Sequence, residues 1–433
     1  MLRFGNYEPG FLTTLGTELY GWEKDQFGPV WGPQLSSTVM DWRLGTGDNG
    51  AHFDPFVGLF EAMGRTPRAS LDFFNPDGGG EQAQERAEYF ITDRRWKADD
   101  FNALGLALDA ASTAFHTSTA PVDLQERAAW MASATVHYLA ERDDGINNRR
   151  IGDGGKDSLA HILATYIYDV DRIAGGADGG LGTHPSNQNA PWDAGLPVGA
   201  DFSKDDLIAV LNETLTDKGA AAQLGRATAA WNGYRIAIAA DGWGGEGSDT
   251  ARLQAAVNEG SRLTGFVLGA MDTGLTGEAK SADERAQTYI DLASSVVGLI
   301  PTGGTFTSFL ADQALSAGGD ALSDQFTGNE SRVAGEQHSV REVAFTDLQI
   351  ALAVALAEEG KLPSGALTNE SGVTYPWFKG GQFNADSLAD PSVRNDFISW
   401  MNSGEGGQTL TALLPDVAAE FDHGVNSGSG GAR

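Results

Sequence analysis

The chain contains no cysteine. Disulfides, thiolate nucleophiles and Cys-ligated zinc are thereby excluded, and a thiol-free chain tolerates either redox compartment. Long apolar runs are missing too. The longest candidate, Tyr289 to Ile300, stops at Pro301, short of the roughly 20 apolar residues that a membrane-spanning helix needs. Basic residues are scarce, 29 against 59 acidic ones, which leaves a formal net charge of -30 and a sequence pI near 4.4. A surface this anionic repels phosphate backbones and anionic lipid headgroups, so neither nucleic acid nor a membrane is an expected partner. Met1 to Pro9 lack a basic segment followed by an apolar run, so no cleaved secretory signal is read. The chain is expected in the cytoplasm, or outside the cell by another route.

What the chain does have is glycine and helix. Its 57 glycines gather at Asp77–Gly80, Gly152–Gly155, Gly175–Gly182, Gly242–Gly247 and Gly424–Gly431. Flexible connectors are the expected use of these clusters, since no apolar strand precedes any of them as a dinucleotide fingerprint requires. The intervening segments carry apolar residues at helical spacing and show no strand alternation. The expected fold class is all-α: a multi-helix bundle arrangement with long Gly-rich loops and at most a few short strands.

Several helices announce their ends. Thr66 before Pro67 is a capping residue with proline at the first helical position. Asp157 is placed to cap a segment whose Leu159, Ile162, Leu163, Tyr166, Ile167 and Val170 share one stripe. Ser203, Asp205 and Asp206 set a cap and two acids in the first turn of another helix, and Ser281 with Glu284 forms a capping box. Ala-rich helices are expected over 98–118, 123–142, 219–240, 248–271, 302–325 and 336–360. At 433 residues the chain exceeds the length at which one core usually stops growing. The long polar loop from Gly175 to Asp201 is the expected boundary, separating a helical sub-domain over 1–180 from a second over 202–433 that ends in a flexible Gly/Ser tail.

Searches for reaction chemistry return little. There is no G-x-S-x-G elbow, no phosphate loop, no H-E-x-x-H pair and no EF-hand. Seven histidines, at 52, 116, 137, 161, 184, 338 and 423, include no pair at i, i+4. His161 lies four residues after Asp157, a spacing at which an acid orients an imidazole; with Asp171 these are the candidate catalytic residues of a hydrolase. The plainer reading is a capping acid beside a partly buried helical histidine. Asp169 and Asp171, two apart on a helix, point in different directions and make a poor dyad. Asp143, Asp144 and Asp153, near Asn147 and Asn148, offer oxygen ligands to a hard cation, although a solvated interhelical loop accounts for them without one. No cofactor is expected. The loop from His184 to Trp192 carries the most varied polar chemistry and is a candidate binding loop. Most of the ten tryptophans are read as filling gaps between helices.

One resemblance is specific. Tyr7, Phe11, Leu12, Leu15 and Gly16 match a "Y-x-x-x-F-L-x-x-[LV]-G" opening. Asp54, Pro55, Gly58, Leu59, Ala62, Gly64, Pro67, Ala69, Ser70, Phe73 and Phe74 match "D-P-x-x-G-L-x-x-A-x-G-x-x-P-x-A-[AS]-x-x-F-F". Weaker likeness follows over Ala286–Leu322 and Phe397–Trp400. In these segments the chain resembles an uncharacterised actinobacterial family of large helical proteins. That resemblance implies association with WXG-type helical hairpins, type VII (ESX-like) secretion and polymorphic toxins, and supplies no catalytic residues. Trp243, Gly244 and Gly245 lie between two expected helices as a WXG turn would, but no Y-x-x-x-[DE] export tail follows; Tyr89 to Asp93 fits that pattern in isolation. The expected function is a non-enzymatic helical scaffold or pre-toxin-like module acting through protein partners, such as export machinery or an immunity protein. The alternative is a hydrolase or toxin with a His/carboxylate site.

Overall fold

Proline opens the first helices. α1 (Pro9–Gln26), α2 (Pro55–Gly64) and α3 (Pro67–Phe74) each begin on a residue whose absent N–H would have had no intrahelical partner. The computed structural model describes residues 5–26, 54–94, 96, 99–142, 151–185, 190–244, 248–277, 340–362, 364–369, 371–379, 382–384, 387, 390–403 and 410–430. The architecture is all-α. Among the described residues the only sheets are two-stranded antiparallel ribbons.

Two units result, one made of Met1–Asn187 with Gly195–Ala220, the other of Gln188–Ala194 with Ala221–Arg433. In the first, α4 (Glu81–Ala87) runs into a π-helical turn, Glu88–Asp93. There follow α5 (Asn102–Thr113), α6 (Val122–Glu141), α7 (Asp153–Thr165), α8 (Ile167–Ala174), strands β1 (Gly182–His184) and β2 (Gly199–Asp201), and α9 (Lys204–Thr214). α5 is the central helix, packed by α2, α3, α6 and α7. Its buried residues are mostly small, Ala103, Gly105, Ala107, Ala110, Ala111 and Ser112 beside Leu104 and Leu108. A Cβ added at Gly105 would press on the Gly155 backbone and Ser158, so the small side lets α7 approach closely. An aromatic core of Phe56, Phe60, Phe73, Phe74, Phe90 and Trp96 fills the space beside it, with ring centroids 4.8–6.4 Å apart. The Tyr89–Asp93 export-tail pattern falls in the π-helical turn, where Tyr89, Phe90 and Ile91 are buried.

The second unit contains most of α10 (Lys218–Asp241), then α11 (Ser248–Gly277), α12 (Val340–Glu358), the ribbon of β3 (Phe378–Lys379) and β4 (Gln382–Phe383), α13 (Pro391–Ser403) and α14 (Val417–Gly428). α14 lies on α11 through glycine. A Cβ at Gly265 would meet the Phe421 carbonyl, one at Gly269 the Val425 carbonyl, one at Gly424 the Arg262 carbonyl and one at Gly428 the Phe266 carbonyl. Ser261 Oγ donates to the Val417 carbonyl at 2.7 Å on the same seam.

Several expectations need correction. The Gly/Ser tail is not a flexible stretch from Gly424: Gly424 and Gly428 are buried in α14, because their missing side chains are what the crossing needs. The Gly152–Gly155 cluster is not a connector either. Gly154 and Gly155 lie inside α7, which starts at Asp153 and leaves Asp157 within the helix and not at its cap. Thr66 occupies the capping position of α3 without a capping side-chain bond, whereas Ser203 does cap α9, accepting from Asp206 N. The single stripe from Leu159 to Val170 is broken at Tyr166 into α7 and α8. The Gly175–Asp201 loop carries a ribbon, β1 pairing β2 with Gly182 opposite Asp201 and His184 opposite Gly199. Of the tryptophans, Trp96, Trp130, Trp192, Trp231, Trp243, Trp377 and Trp400 are buried and Trp22 is exposed, while Trp31 and Trp42 lie outside the described residues, as does the Ser281 capping box.

Asp100 and Phe101 precede α5 with φ of 53° and 75°, left-handed backbone that costs a non-glycine residue about 1–2 kcal/mol. Phe101 is buried, and Asp100 is the exposed member of the pair. Asp100→Gly is therefore expected to raise stability by about 1 kcal/mol, read as a higher urea midpoint. A fall would mean that the Asp100 carboxylate contributes more than the strain costs.

Candidate functional site

Among the described residues of the first unit, histidine meets carboxylate at three places. His161 on α7 reaches across to α5, its Nδ1 2.7 Å from Asp109 Oδ1. His137 on α6 reaches α9, Nδ1 2.9 Å from Asp206 Oδ2, while its Nε2 lies 3.6 Å from Glu141 Oε1. His184 on β1 reaches α8, Nε2 2.5 Å from Asp169 Oδ1. The acid at the His161 ring is thus Asp109 from the central helix. Asp157 lies on α7 itself, where burial and the neighbouring Asp217 carboxylate raise its pKa. Asp171 lies on α8 and its backbone carbonyl accepts from Gly175 N, closing that helix.

The His184 pair is the most elaborate. Asp169 is buried, 1 % exposed, and its Oδ2 accepts from Ala200 N at 3.2 Å, so one carboxylate holds a residue of each strand. The other His184 nitrogen, Nδ1, faces the Pro185 carbonyl at 2.9 Å. Where Asp169 is ionised, two acceptors on one ring hold a proton on both nitrogens. Burial opposes that charge, and the Asp169 carboxylate overcomes it, raising the His184 pKa above its ordinary value. At the opposite end of the ribbon Ser133 Oγ donates to the Asp201 carbonyl at 2.7 Å and accepts from Gly182 N at 3.0 Å. Arg172 adds an ion pair to Asp201 at 2.5 Å. Isolated two-stranded ribbons are marginal in water, and these polar ties supply what a third strand would. Gly199 passes directly over the pair: a Cβ there would collide with Asp169 Oδ1 and His184 Nε2. Gly199→Ala is expected to part the imidazole from the carboxylate and to bring the His184 titration, followed by its ring proton shifts, back toward about 6.5. An unmoved midpoint would show that the pair does not depend on Gly199.

A general base must offer a free nitrogen lone pair within reach of a substrate proton. His184 has none while both its nitrogens donate. His161 has its Nε2 sealed from solvent with no partner; burial lowers its basicity, and the Asp109 bond more than compensates, so its pKa is raised. Chemically the His161 and His184 pairs are clamps, each joining two elements far apart in the chain. Metal chemistry finds no better footing among the described residues, where no group of three or more His, Asp or Glu side chains is arranged to hold an ion. Asp153 begins α7 and pairs with the buried Lys156 ammonium at 2.8 Å, while Asp143 and Asp144 lie outside the described residues. Of the His184–Trp192 loop, residues 186–189 lie outside them as well.

Several of the residues that carry the resemblance have structural roles. Asp54 Oδ1 accepts from Phe56 N at 2.9 Å to cap α2, Gly16 leaves room for Phe73 and Met63, Gly64 sits against Leu106, and Phe73 and Phe74 are core. No helix among the described residues is long and apolar enough to cross a membrane. No curated protein and no solved structure matches the chain. A family model does, over residues 2–406, described as "Family of unknown function (DUF6571)". With nearly the whole chain covered, from before α1 to beyond α13, the protein belongs to the DUF6571 family.

Proposed function

We propose that this chain is a non-enzymatic helical module that works through protein partners in an export-associated setting, scaffold-like or pre-toxin-like as the resemblance at Tyr7–Gly16 and Asp54–Phe74 implies. The observation that carries the non-enzymatic part is the state of two imidazoles. His161 and His184 are committed to carboxylates and offer no accessible lone pair. The export-associated part is supported by the helical hairpin of α10 and α11. Trp243 lies in the connection, buried, its Nε1 donating to Thr250 Oγ1 at 3.0 Å. Asn232 Nδ2 donates across the hairpin to the Gly260 carbonyl at 3.1 Å, and Arg235 Nη1 pairs with Glu259 at 3.1 Å.

Two measurements test the two parts separately. Purified protein incubated with peptidoglycan, nucleotides, nucleic acid and casein should turn over none of them. Turnover abolished by His184→Gln or His161→Gln would establish the alternative, a hydrolase or toxin with a His/carboxylate site. A tagged chain expressed in an actinobacterial host should reach the culture medium from a strain with an intact type VII system and not from one lacking its ATPase. Equal amounts from both strains would remove the export assignment.

A further inference from the structure

His184 closes β1, Asp169 belongs to α8, and Gly199, opposite His184, opens β2, so one imidazole sits where three segments join. The ring spans two acceptors, Asp169 Oδ1 at Nε2 and the Pro185 carbonyl at Nδ1, while Asp169 Oδ2 takes the Ala200 N–H at 3.2 Å. A neutral imidazole carries one N–H and one lone pair. It can therefore serve only one of its two acceptors. Either the buried carboxylate loses its donor, or the Pro185 carbonyl faces a lone pair, and the closed ribbon alone bears that cost. The ring cannot relieve it by turning toward β2, because Gly199 lies so close that even an added Cβ would collide with Asp169 Oδ1 and His184 Nε2.

The other end of the ribbon is held differently. Gly182 N donates to Ser133 Oγ at 3.0 Å, and that hydroxyl donates in turn to the Asp201 carbonyl at 2.7 Å. A hydroxyl does not titrate in this range. Every element around the His184 ring contributes to its surroundings. α8 supplies Asp169, the Arg172 cation and the Tyr168 ring, whose centroid is 6.1 Å from that of His184. β2 supplies Asp201, ion-paired with Arg172, and α6 meets the ribbon with the neutral Ser133 and Gln125. His116, in the connection between α5 and α6, feels the His184 charge but is kept neutral by burial, which pushes its pKa down to about 3.

We propose that the proton shared by His184 and Asp169 locks the β1–β2 ribbon, and that its loss releases the His184 end while the Gly182 end stays tied to Ser133. Burial works against the His184 charge, and the bond to Asp169 with its negative charge more than offsets it, so the closed ribbon binds this proton more tightly than the free chain does. The lock is then complete below about 6.5, the free value, and is lost as pH rises through the closed-state value. Asp169, its own pKa raised by burial, acts in the same direction at the acid end, where taking up a proton removes a buried charge.

Amide hydrogen exchange of the full chain, corrected for intrinsic rates, tests the lock because the two ends of the ribbon report separately. Between about pH 6 and about pH 9, protection at Ala200 should fall about tenfold for each pH unit by which the His184 midpoint exceeds about 6.5. Protection at Gly182 and along α6 should hold. His184→Gln, whose amide offers Asp169 a donor at every pH, should make the Ala200 protection independent of pH. Should that variant fail to fold, the wild-type chain decides: the fall at Ala200 must follow the His184 ring-proton titration. A midpoint at or below about 6.5, Ala200 protection that stays flat, an equal fall at Gly182, or the same response in His184→Gln would each overturn the proposal.

Discussion

Arg94→Ala is expected to destabilise the first unit by about 3–5 kcal/mol, the range found when one member of a buried ion pair is removed. Arg94 and Glu23 are both fully buried. Arg94 Nε donates to Glu23 Oε1 at 2.8 Å and Nη2 reaches both oxygens of Asp54 at 2.9 Å. The guanidinium also lies over the rings of Trp96 and Phe56, at 4.3 and 5.0 Å from their centroids. Three separate segments converge on it: α1 through Glu23, the cap of α2 through Asp54, and the π-helical turn through Tyr89, whose hydroxyl donates to Glu23 at 2.6 Å. Without the cation, two carboxylates remain with little or no water to solvate them. Arg94→Lys should fall between wild type and alanine, because an ammonium cannot bridge both acids in the same plane. Urea unfolding followed by circular dichroism reads the effect; an alanine variant within about 1 kcal/mol of wild type would mean that the enclosed charges contribute almost nothing.

The second large effect concerns glycine, and its sign is the informative part. Alanine for glycine inside a helix normally gains about 0.5–1 kcal/mol. Gly21 in α1 has nothing within 4 Å of an added Cβ, so Gly21→Ala should show that gain. Gly265→Ala and Gly424→Ala should each lose about 1–3 kcal/mol instead, since a methyl group would be forced onto a carbonyl oxygen of the facing helix. The double substitution should cost less than the sum, both methyl groups pushing the same two helices apart. Protease sensitivity of 417–428 and the unfolding midpoint report it. A gain at Gly265 like that at Gly21 would show that α11 and α14 do not touch there.

How far these features could be read from residues differs by kind. Helix positions were legible where apolar spacing coincided with a stop signal: the expected 123–142 and 219–240 correspond to Val122–Glu141 and Lys218–Asp241. Glycine misled, because its two uses are identical in sequence. Gly152–Gly155 and Gly424–Gly428 resemble linkers, yet Gly105 against Gly155 and Gly265 against Phe421 show the missing Cβ serving close approach. The clamps were not legible at all. Asp109 and His161 are 52 residues apart and Asp206 and His137 are 69 apart, and no local pattern marks such partners. Asp169 lay in view beside Asp171, but only the return of β1 onto α8 gives it a histidine. The acid–imidazole spacing of Asp157 and His161 pointed to the right ring with the wrong carboxylate, since the ring faces the central helix.

The left-handed pair before α5 bears on the order in which the unit assembles. Asp100 and Phe101 are confined by glycines far along the chain: a Cβ at Gly152 or Gly154 would strike the Asp100 carbonyl, and Gly154 N meets the Asp100 carboxylate across 54 residues. That unfavourable geometry has nothing to hold it until α7 has docked. The first turn of α5 is then fixed only late, so changes at Asp100 should alter how fast the unit comes apart and leave the rate at which it forms nearly untouched.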